Sequence, residues 1–251
     1  LSYAVRNTHR TVGTRASSHI VSKFGMRNKL QRDHLTVKLA GSAGQSLGAF
    51  AVRGLKIEVF GDANDYVAKG LSGGLVVVRP RMSSPLKASE NTIIGNTVLY
   101  GATDGQLFAA GRAGERFAVR NSGASVVVEG CGSNGCEYMT GGVAVILGSI
   151  GANFGAGMTG GMAYLYDPDG VALENINLET LVTCPVTVDH WENQLKGLIE
   201  QHVAETESVL GTEILRRWDV EKANFLQVCP KEMLVHLKHP LAHEVKAMPA
   251  E

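Results

Sequence analysis

The sequence predicts a mainly β fold, a parallel β-helix in which short strands coil around one apolar core, with α-helices flanking it at both ends. Of the 30 glycines, 25 lie between Gly41 and Gly161. There they recur in the spacing G-x-x-G-x-x-x-G, and the segments between them are short and rich in β-branched residues. Because periods near 20 residues are typical of solenoids, each repeat is expected to form one turn of a coil.

The repeat has two perfect copies, Gly41/Gly44/Gly48 and Gly148/Gly151/Gly155, and four weaker copies between them. The weaker copies are Gly61/Asn64/Ala68, Val98/Gly101/Gly105, Gly111/Gly114/Ala118 and Gly132/Gly135/Met139. Their middle residues are 20, 37, 13, 21 and 16 residues apart, and the longest step could hold two units plus an insertion. Glycine adopts positive φ and lets two backbones approach closely, so we predict that these residues are structural corners.

Strands are predicted where apolar and β-branched residues alternate between turn residues. The segments are Leu35 to Gly41, Leu55 to Gly61, Gly73 to Pro80, Ala124 to Gly130, Gly141 to Gly148 and Gly160 to Asp167. Stacked turns would lie about 4.8 Å apart, with unpaired edges only at the two ends of the coil. The ends therefore need caps.

The flanking segments supply candidates for those caps, and they divide the chain into three parts. Residues 1–34 are predicted to be an extended arm and a helix that packs on the solenoid, residues 35–170 the glycine-rich β-helix, and residues 171–251 a linker with helices. In the first part, Ala16, Ile20 and Phe24 recur at four-residue steps before Gly25, which is typical of a helix that ends at a glycine.

In the third part, Asp189 and Glu192 form a capping-box-like start for a long helix. That helix is predicted to run to Leu210 and to end at Gly211, with Thr212 capping a second helix through Trp218 and Pro230 opening a third. Its apolar face would hold Trp191, Leu195, Leu198, Ile199, His202, Val203 and Thr206.

Composition excludes several classes of protein. With 44% hydrophobic and 19% charged residues the chain is not disordered, and no apolar run is long enough for a membrane span. We expect no signal peptide, and since the sequence begins at Leu1 we expect a piece of a larger protein. The scattered residues Cys131, Cys136, Cys184 and Cys229 lack a C-x-x-C pair, so they are predicted to be reduced thiols of a cytoplasmic protein.

Charge is unevenly distributed although the formal net charge is zero. Residues 1–40 hold eight Lys or Arg and one acid, whereas residues 171–251 hold thirteen acids and seven Lys or Arg. The basic arm lacks the interleaved aromatic residues of a stacking surface, so no nucleic-acid partner is predicted. The two arms are expected to meet each other or partner domains.

Three kinds of site can be weighed from motifs. Gly130, Gly132 and Gly135 spell G-x-G-x-x-G after a strand, and residues 155–160 repeat it, but neither copy opens a helix as a dinucleotide site requires. His236, His239 and His243 have zinc-like spacing, but Pro240 interrupts their helix, so no metal site is predicted.

Nucleophilic catalysis is not indicated either, since Cys131 and Cys136 lie in the repeat with no histidine nearby in sequence. The acidic residues of the repeat fall at different positions within the repeat unit, whereas a carbohydrate-cleaving site needs two carboxylates held as a pair. Solvated carboxylates are therefore the simpler interpretation, and a carbohydrate-cleaving pair is the alternative. They are Glu58, Asp62, Asp65, Asp104, Glu115, Glu129 and Glu137. We therefore predict no catalytic, cofactor-binding or metal-binding residue in this chain.

Longer runs identify a family. The runs GNTVLYGATDGQLFAAGRAGERFAVRNSGASVVVEG (95–130), GCEYMTGG (135–142) and NFGAGMTGGMAYLYD (153–167) closely resemble the carboxyl-terminal domain of the glutamate synthase large (alpha) subunit. So do VRNTHRTVGTRASSHIVSKFG (5–25) and GDANDYVAKGLSGG (61–74). The resemblance implies a right-handed β-helix that acts as a non-catalytic scaffold between a glutaminase domain and an FMN-binding synthase domain.

Under this resemblance FMN and an iron–sulfur cluster lie elsewhere in the parent enzyme, and FAD and NADPH on a small partner subunit. The expected partners are the other domains of the same large subunit. The resemblance does not separate NADPH from ferredoxin as electron donor. Three alternatives stay open: a β-helical subunit of formylmethanofuran dehydrogenase, a stand-alone carbohydrate-active β-helix enzyme, and a generic binding module.

Overall fold

The computed structural model describes residues 1–81 and 83–242. Across them, 12 strands form one sheet that winds into a β-solenoid of about six turns with flanking helices, which confirms the predicted fold class. The strands are β1 (Ser2–Val5), β2 (Leu35–Ala43), β3 (Leu55–Ala63), β4 (Ser72–Arg79), β5 (Thr92–Ile94), β6 (Asp104–Ala109), β7 (Arg112–Ala113), β8 (Ser122–Val128), β9 (Thr140–Ile146), β10 (Gly160–Tyr166), β11 (Leu181–Pro185) and β12 (Phe225–Pro230). The α-helices are α1 (Thr14–Phe24), α2 (Asp189–Thr206), α3 (Val209–Arg216) and α4 (Trp218–Glu221), and short 3-10 helices span Ala88–Glu90, Ala172–Asn175, Lys222–Asn224 and Lys231–His236.

The main ladder runs in the order β1-β2-β3-β4-β6-β8-β9-β10 with every neighbouring pair parallel. Residues one turn apart are in register, as in Leu39↔Val59 and Val59↔Val78. Since side chains alternate between the faces of a strand, equal positions of successive turns stack on the same face. The short strands β5 and β7 form a second ladder that joins the end of β3 at Ala63.

Two antiparallel strands close the carboxyl-terminal end of the ladder. Strand β12 pairs with β10, and β11 pairs with β12. We did not predict these strands, because residues 171–251 were interpreted as a linker with helices. The same sheet therefore takes in β1 from the amino-terminal segment and two strands from the carboxyl-terminal one.

Both faces of the central strands are buried. The inner face fills the lumen with side chains such as Leu55, Ile57 and Val59, each 0% exposed. The outer face of β4 to β10 carries a second apolar cluster that packs against α2. This outer cluster includes Val77, Phe108, Val127, Val145, Tyr164, Trp191, Leu195, Leu198 and Ile199.

Helix α1 covers the amino-terminal end of the lumen, where Ile20 is buried in the inner cluster. As predicted, it ends before Gly25, whose φ is 80° and whose N–H donates to Val21 O at 2.8 Å. The buried face of α2 also agrees with the prediction, except that Val203 is half-buried. In the described part of the chain, none of the helices combines the length and apolar character needed to cross a membrane.

The boundaries of the later helices differ from the prediction. Helix α2 begins without a side-chain cap, so the capping box at Asp189 is wrong. It ends at Thr206 because Glu207 adopts a left-handed conformation (φ 56°). Ser208, not Thr212, caps α3 by accepting a hydrogen bond from Gly211 N at 2.9 Å. Between Pro230 and residue 242, where the description ends, the chain forms only a 3-10 helix.

Candidate functional site

Hydrogen bonds between neighbouring turns align the repeat residues into rows. One row holds the residues at the middle position of the G-x-x-G-x-x-x-G repeat. In it, Asn64 N donates to Ala43 O at 3.0 Å, and Gly95 N donates to Ala63 O at 3.1 Å. The same pattern continues along the solenoid, so the row consists of Gly44, Asn64, Gly95, Gly114, Gly132 and Gly151. Its steps are 20, 31, 19, 18 and 19 residues. Each turn therefore contributes one corner of fixed geometry.

Two of the predicted copies are out of register with these rows. Val98/Gly101/Gly105 and Gly132/Gly135/Met139 are each displaced, because the hydrogen bonds place Leu99 and Cys136 in the row of Gly48 and Ala68. Leu99 and Cys136 adopt positive φ (60° and 56°) with fully buried side chains. The longest step holds one unit plus an insertion between β4 and β5, not two units.

Close approach of the backbones of neighbouring turns explains why certain positions in these rows are glycine. A Cβ on Gly61 would lie 1.9 Å from Gly41 O, and a Cβ on Gly151 would lie 2.3 Å from Ser133 N. Among the other predicted repeat residues, Gly41 lies in β2 and Gly105 in β6. The rest lie in turns: Gly44, Gly48, Asn64, Gly101, Gly111, Gly114, Gly132, Gly135, Gly148 and Gly155.

The motifs weighed for ligand binding lie in this framework as follows. Gly130, Gly132 and Gly135 pass through a corner that leads to β9. His236 ends a 3-10 helix, His239 stacks on His190 with ring centroids 3.9 Å apart, and His243 lies outside the described residues. Within residues 1–81 and 83–242, no group of three or more His, Cys, Asp or Glu is placed to hold a metal ion.

A pocket of about 380 Å³ lies between the loop that follows β4 and the first two glycine corners. Two of its lining side chains donate hydrogen bonds within the chain: Ser42 Oγ donates to Asp62 Oδ2 at 3.0 Å, and Arg81 Nε donates to Phe60 O at 3.4 Å. The pocket is therefore a surface cleft with local polar contacts.

Several acids of the repeat have local partners. Glu58 lies 2.8 Å from Lys56 Nζ, and Asp65 Oδ1 accepts from Asn96 N at 2.8 Å. Glu129 is different, because it is 1% exposed. The prediction of solvated carboxylates is wrong for this residue.

Glu129 forms a buried polar cluster with His202 of α2 and Ser208, the cap of α3. His202 is 0% and Ser208 2% exposed. Ser208 Oγ donates to the Glu129 carboxylate while accepting from Gly211 N at 2.9 Å. His202 Nε2 lies 3.6 Å from Glu129 Oε1. The cluster thus joins the end of β8 to the junction between α2 and α3.

The buried polar cluster contains the residue types of a hydrolase triad, but not its geometry. In a triad the base contacts the nucleophilic hydroxyl, and here Ser208 donates to the carboxylate instead. All three side chains are also closed off from solvent. The arrangement is therefore suited to clamp the helices on the sheet. The only sequence signal for the buried polar cluster is that Ser208 stands where a helix cap could be.

Ion pairs reinforce the same contact. Lys56 Nζ lies 2.6 Å from Glu205 Oε2 and 2.8 Å from Glu58 Oε1, and Arg79 lies 2.6 Å from Glu207 Oε2. Burial opposes the charge of Lys56, but the hydrogen bonds that Lys56 donates to Glu205 and Glu58 outweigh this effect and raise the Lys56 pKa. Burial likewise opposes ionisation of Glu58, and the hydrogen bond from Lys56 outweighs it, so the Glu58 pKa is lowered.

Lys56→Met is expected to lower the free energy of unfolding at pH 7 by about 1 kcal/mol, because these ion pairs are partly buried. A lowered carboxyl pKa stabilises the fold above the unfolded value of about 4.3 and loses that effect as pH falls through the folded value. The difference between variant and wild type should therefore shrink from pH 7 to pH 3, as measured by urea unfolding. Lys87→Met, which removes an exposed ion pair, is the control; an equal deficit at both pH values would contradict the ion-pair origin.

The cysteines are expected to be unreactive in the folded chain. All four are free thiols, and burial raises the pKa of Cys131 and Cys229 to about 12 and that of Cys184 to about 11. Because the thiolate is the nucleophile, a disulfide reagent at pH 8 should label none of them readily until the chain is unfolded, when all four should react. Rapid labelling of Cys131 in the native chain would contradict its burial.

Comparisons with known proteins give concordant matches. A family model described as the GXGXG motif matches residues 1–231. The chain is 64% identical over its full length to the NADPH glutamate synthase large chain of Azospirillum brasilense. It is 49% identical over 91% of its length to ferredoxin-dependent glutamate synthase 2 of Synechocystis, and 44% over 92% to the NADPH large chain of Bacillus subtilis. It spans 16%, 15% and 15% of the lengths of these relatives.

Proposed function

This chain belongs to the GXGXG motif family, and we propose that it is the non-catalytic scaffold domain of a glutamate synthase large chain. In this role it holds a glutaminase domain and an FMN-binding synthase domain in a fixed relation. Ammonia released from glutamine at the first site then reaches 2-oxoglutarate at the second. The match to glutamate synthase large chains along the whole chain supports the assignment.

The observation that carries the scaffold role is the unbroken packing of the solenoid. Its lumen is filled from Val5 to Val228 by one apolar cluster, and a second cluster fixes α2 to its outer face. The backbones of successive turns leave no room for a side chain at Gly61 and Gly151. A coil packed in this way resists bending and presents long faces for neighbouring domains.

The proposal assigns no catalytic, cofactor-binding or metal-binding role to this chain. FMN and an iron–sulfur cluster would lie in other parts of the parent enzyme, with FAD and NADPH on a small partner subunit where NADPH is the donor. The relatives include NADPH-, NADH- and ferredoxin-dependent enzymes, so the scaffold role is independent of the donor. Four free thiols fit a reducing compartment such as the cytoplasm.

The test uses the large chain with and without this segment. Coupled turnover converts one glutamine and one 2-oxoglutarate, with two electrons from the donor and two protons, into two glutamates. Without the scaffold we expect ammonia to escape, so glutamate formed per glutamine hydrolysed should fall from two towards one. Added ammonium should restore the second glutamate, which also shows that the synthase domain is folded. A truncated large chain that still yields two glutamates per glutamine, or one that ammonium does not rescue despite full FMN content, would contradict the proposal.

A further inference from the structure

Aromatic and basic side chains line one corner of the solenoid. We call this the aromatic ridge and define it as Phe50, Tyr66, Lys69, Tyr100, Arg120 and Tyr138. Phe50 is 52%, Tyr66 38% and Tyr138 49% exposed. Most apolar side chains of the chain are enclosed in the two core clusters, so large exposed rings on several turns of one corner need an explanation.

Contacts between turns join the ridge residues into two groups, one on the early turns and one on the later turns. Phe50 N donates to Lys69 O at 2.8 Å, and Gly70 N donates to Tyr100 O at 2.9 Å. The Lys69 ammonium lies 5.7 Å from the centre of the Tyr66 ring and 5.9 Å from that of Tyr100. On later turns, Arg120 N donates to Glu137 O at 3.0 Å, and the Arg120 guanidinium lies 5.8 Å from the Tyr138 ring.

The backbone beneath the ridge is strained. Phe50, Tyr66 and Tyr138 have φ of 57°, 62° and 53°, a left-handed conformation that bulky residues rarely adopt. In the row of Phe50 and Tyr138, glycine takes this position on other turns, at Gly70 and Gly157, with φ of 62° and 64°. Tyr66 lies in a separate row, whose next residue is Thr97. Glycine would therefore serve the corner without strain. The Phe50 and Tyr138 rings lie over Gly70 and Gly157 of the next turn and expose their other surface. Bulky rings that keep a strained backbone and remain about half exposed indicate a role outside this chain.

We propose that the aromatic ridge is the surface on which another domain of the same large chain docks, through a face that presents carboxylates to Lys69 and Arg120. This inference rests on the proposed function and names the surface that performs it. Exposed Tyr, Phe and Arg are the residue types enriched at the energetic centres of protein interfaces. The chain spans 16% of the Azospirillum relative, so most of that polypeptide lies outside it.

Charge favours this occupant over a second copy of the chain. Within residues 1–81 and 83–242, neither Lys69 nor Arg120 forms an ion pair, whereas Glu137 beside the ridge is already paired with Arg116 at 3.0 Å. A two-fold contact between two ridges would place the same cations opposite each other. Like charges across an interface are unfavourable, so an acidic partner surface fits better.

The first experiment is hydroxyl-radical footprinting of the full large chain and of the 251-residue chain. We expect oxidation of Phe50, Tyr66 and Tyr138 to fall by about fivefold or more in the large chain, since central interface residues are shielded from water. Leu173, which is 46% exposed and lies outside the ridge, is the internal control. Equal oxidation of the ridge in both proteins would overturn the proposal.

The second experiment separates docking from folding. Tyr66→Gly with Tyr138→Gly removes two rings and relieves two strained positions, so the 251-residue chain should keep its melting temperature. Its affinity for a large chain that lacks this segment should fall by about 100-fold, if each ring contributes about 1.4 kcal/mol. Thr97→Gly relieves the same kind of backbone (φ 58°) without removing a ring and should leave the affinity unchanged.

The possible results are distinguishable. If wild-type chain does not bind the rest of the large chain, the proposed function fails together with the ridge. If wild type binds and the double variant binds equally tightly, only the ridge proposal fails. If the double variant melts earlier than wild type, the rings are structural. Sedimentation that shows a wild-type dimer abolished by the double variant would make the occupant a second copy and overturn the proposal.

Discussion

Gly151→Ala is expected to lower the free energy of unfolding by about 3 kcal/mol or more, because the new methyl group cannot be accommodated without moving backbone. The added Cβ would lie 2.3 Å from Ser133 N and 2.6 Å from Gly132 C, both in the preceding turn. Separating the two turns would stretch the hydrogen bond from Gly151 N to Gly132 O, now 3.3 Å. Urea unfolding followed by circular dichroism measures the effect.

Gly101→Ala is the matched control. Gly101 also lies at a corner, but a Cβ there meets no atom within 4 Å. Its φ of 65° adds a left-handed penalty of about 1 kcal/mol for alanine, so a small loss is expected. If the two variants lost equal stability, backbone contact between turns would not be the reason for glycine at position 151.

Ser208→Ala is expected to lower the free energy of unfolding by about 2–4 kcal/mol, because the Ser208 hydroxyl makes two hydrogen bonds. It caps α3 through Gly211 N, and it donates to the buried carboxylate of Glu129. Loss of a cap costs about 1 kcal/mol, and a buried charged group deprived of a hydrogen bond costs about 1–3 kcal/mol more. Urea unfolding of the single variant gives the total.

A double-mutant cycle with Glu129→Met separates the two parts. With methionine at position 129 no buried carboxylate is left, so Ser208→Ala should cost only the cap, about 1 kcal/mol. Thr212→Ala is the control, since its hydroxyl donates to Ser208 O at 2.7 Å and does not contact Glu129. Thr212→Ala should lower the free energy of unfolding by the same amount with and without Glu129→Met. An unchanged cost of Ser208→Ala would show that the carboxylate does not depend on this hydroxyl.

The glycine rows show where sequence reasoning reached its limit. Gly41/Gly44/Gly48 and Gly148/Gly151/Gly155 are recognisable because every position in them is glycine. The rows between them accept Leu99 and Cys136 in left-handed backbone, since the lumen buries their side chains completely. A register based on small residues therefore slips at these turns, and only the hydrogen bonds between turns correct it.

The buried polar cluster of Glu129, His202 and Ser208 is a second feature that sequence reasoning could not reach. Glu129 follows three valines at the end of a strand, a context that fits a solvated edge equally well. Its burial follows from α2 and α3 packing over the outer face of the sheet, about 80 residues later in the chain. Helices α2 and α3 meet at Glu207 and Ser208, whose side chains contact Arg79 of β4 and Glu129, the residue after β8.

The sequence alone determined the β-solenoid, strands β2, β3, β4, β8, β9 and β10, and helix α1, because alternation of apolar residues and the spacing of glycine are local properties of the chain. Tertiary structure decided the register of the middle turns, the antiparallel pairing of Tyr166 with Phe225, and the enclosure of Glu129. Each of these depends on contacts between residues far apart in sequence, and burial on the outer face of a strand leaves no periodic signal of its own.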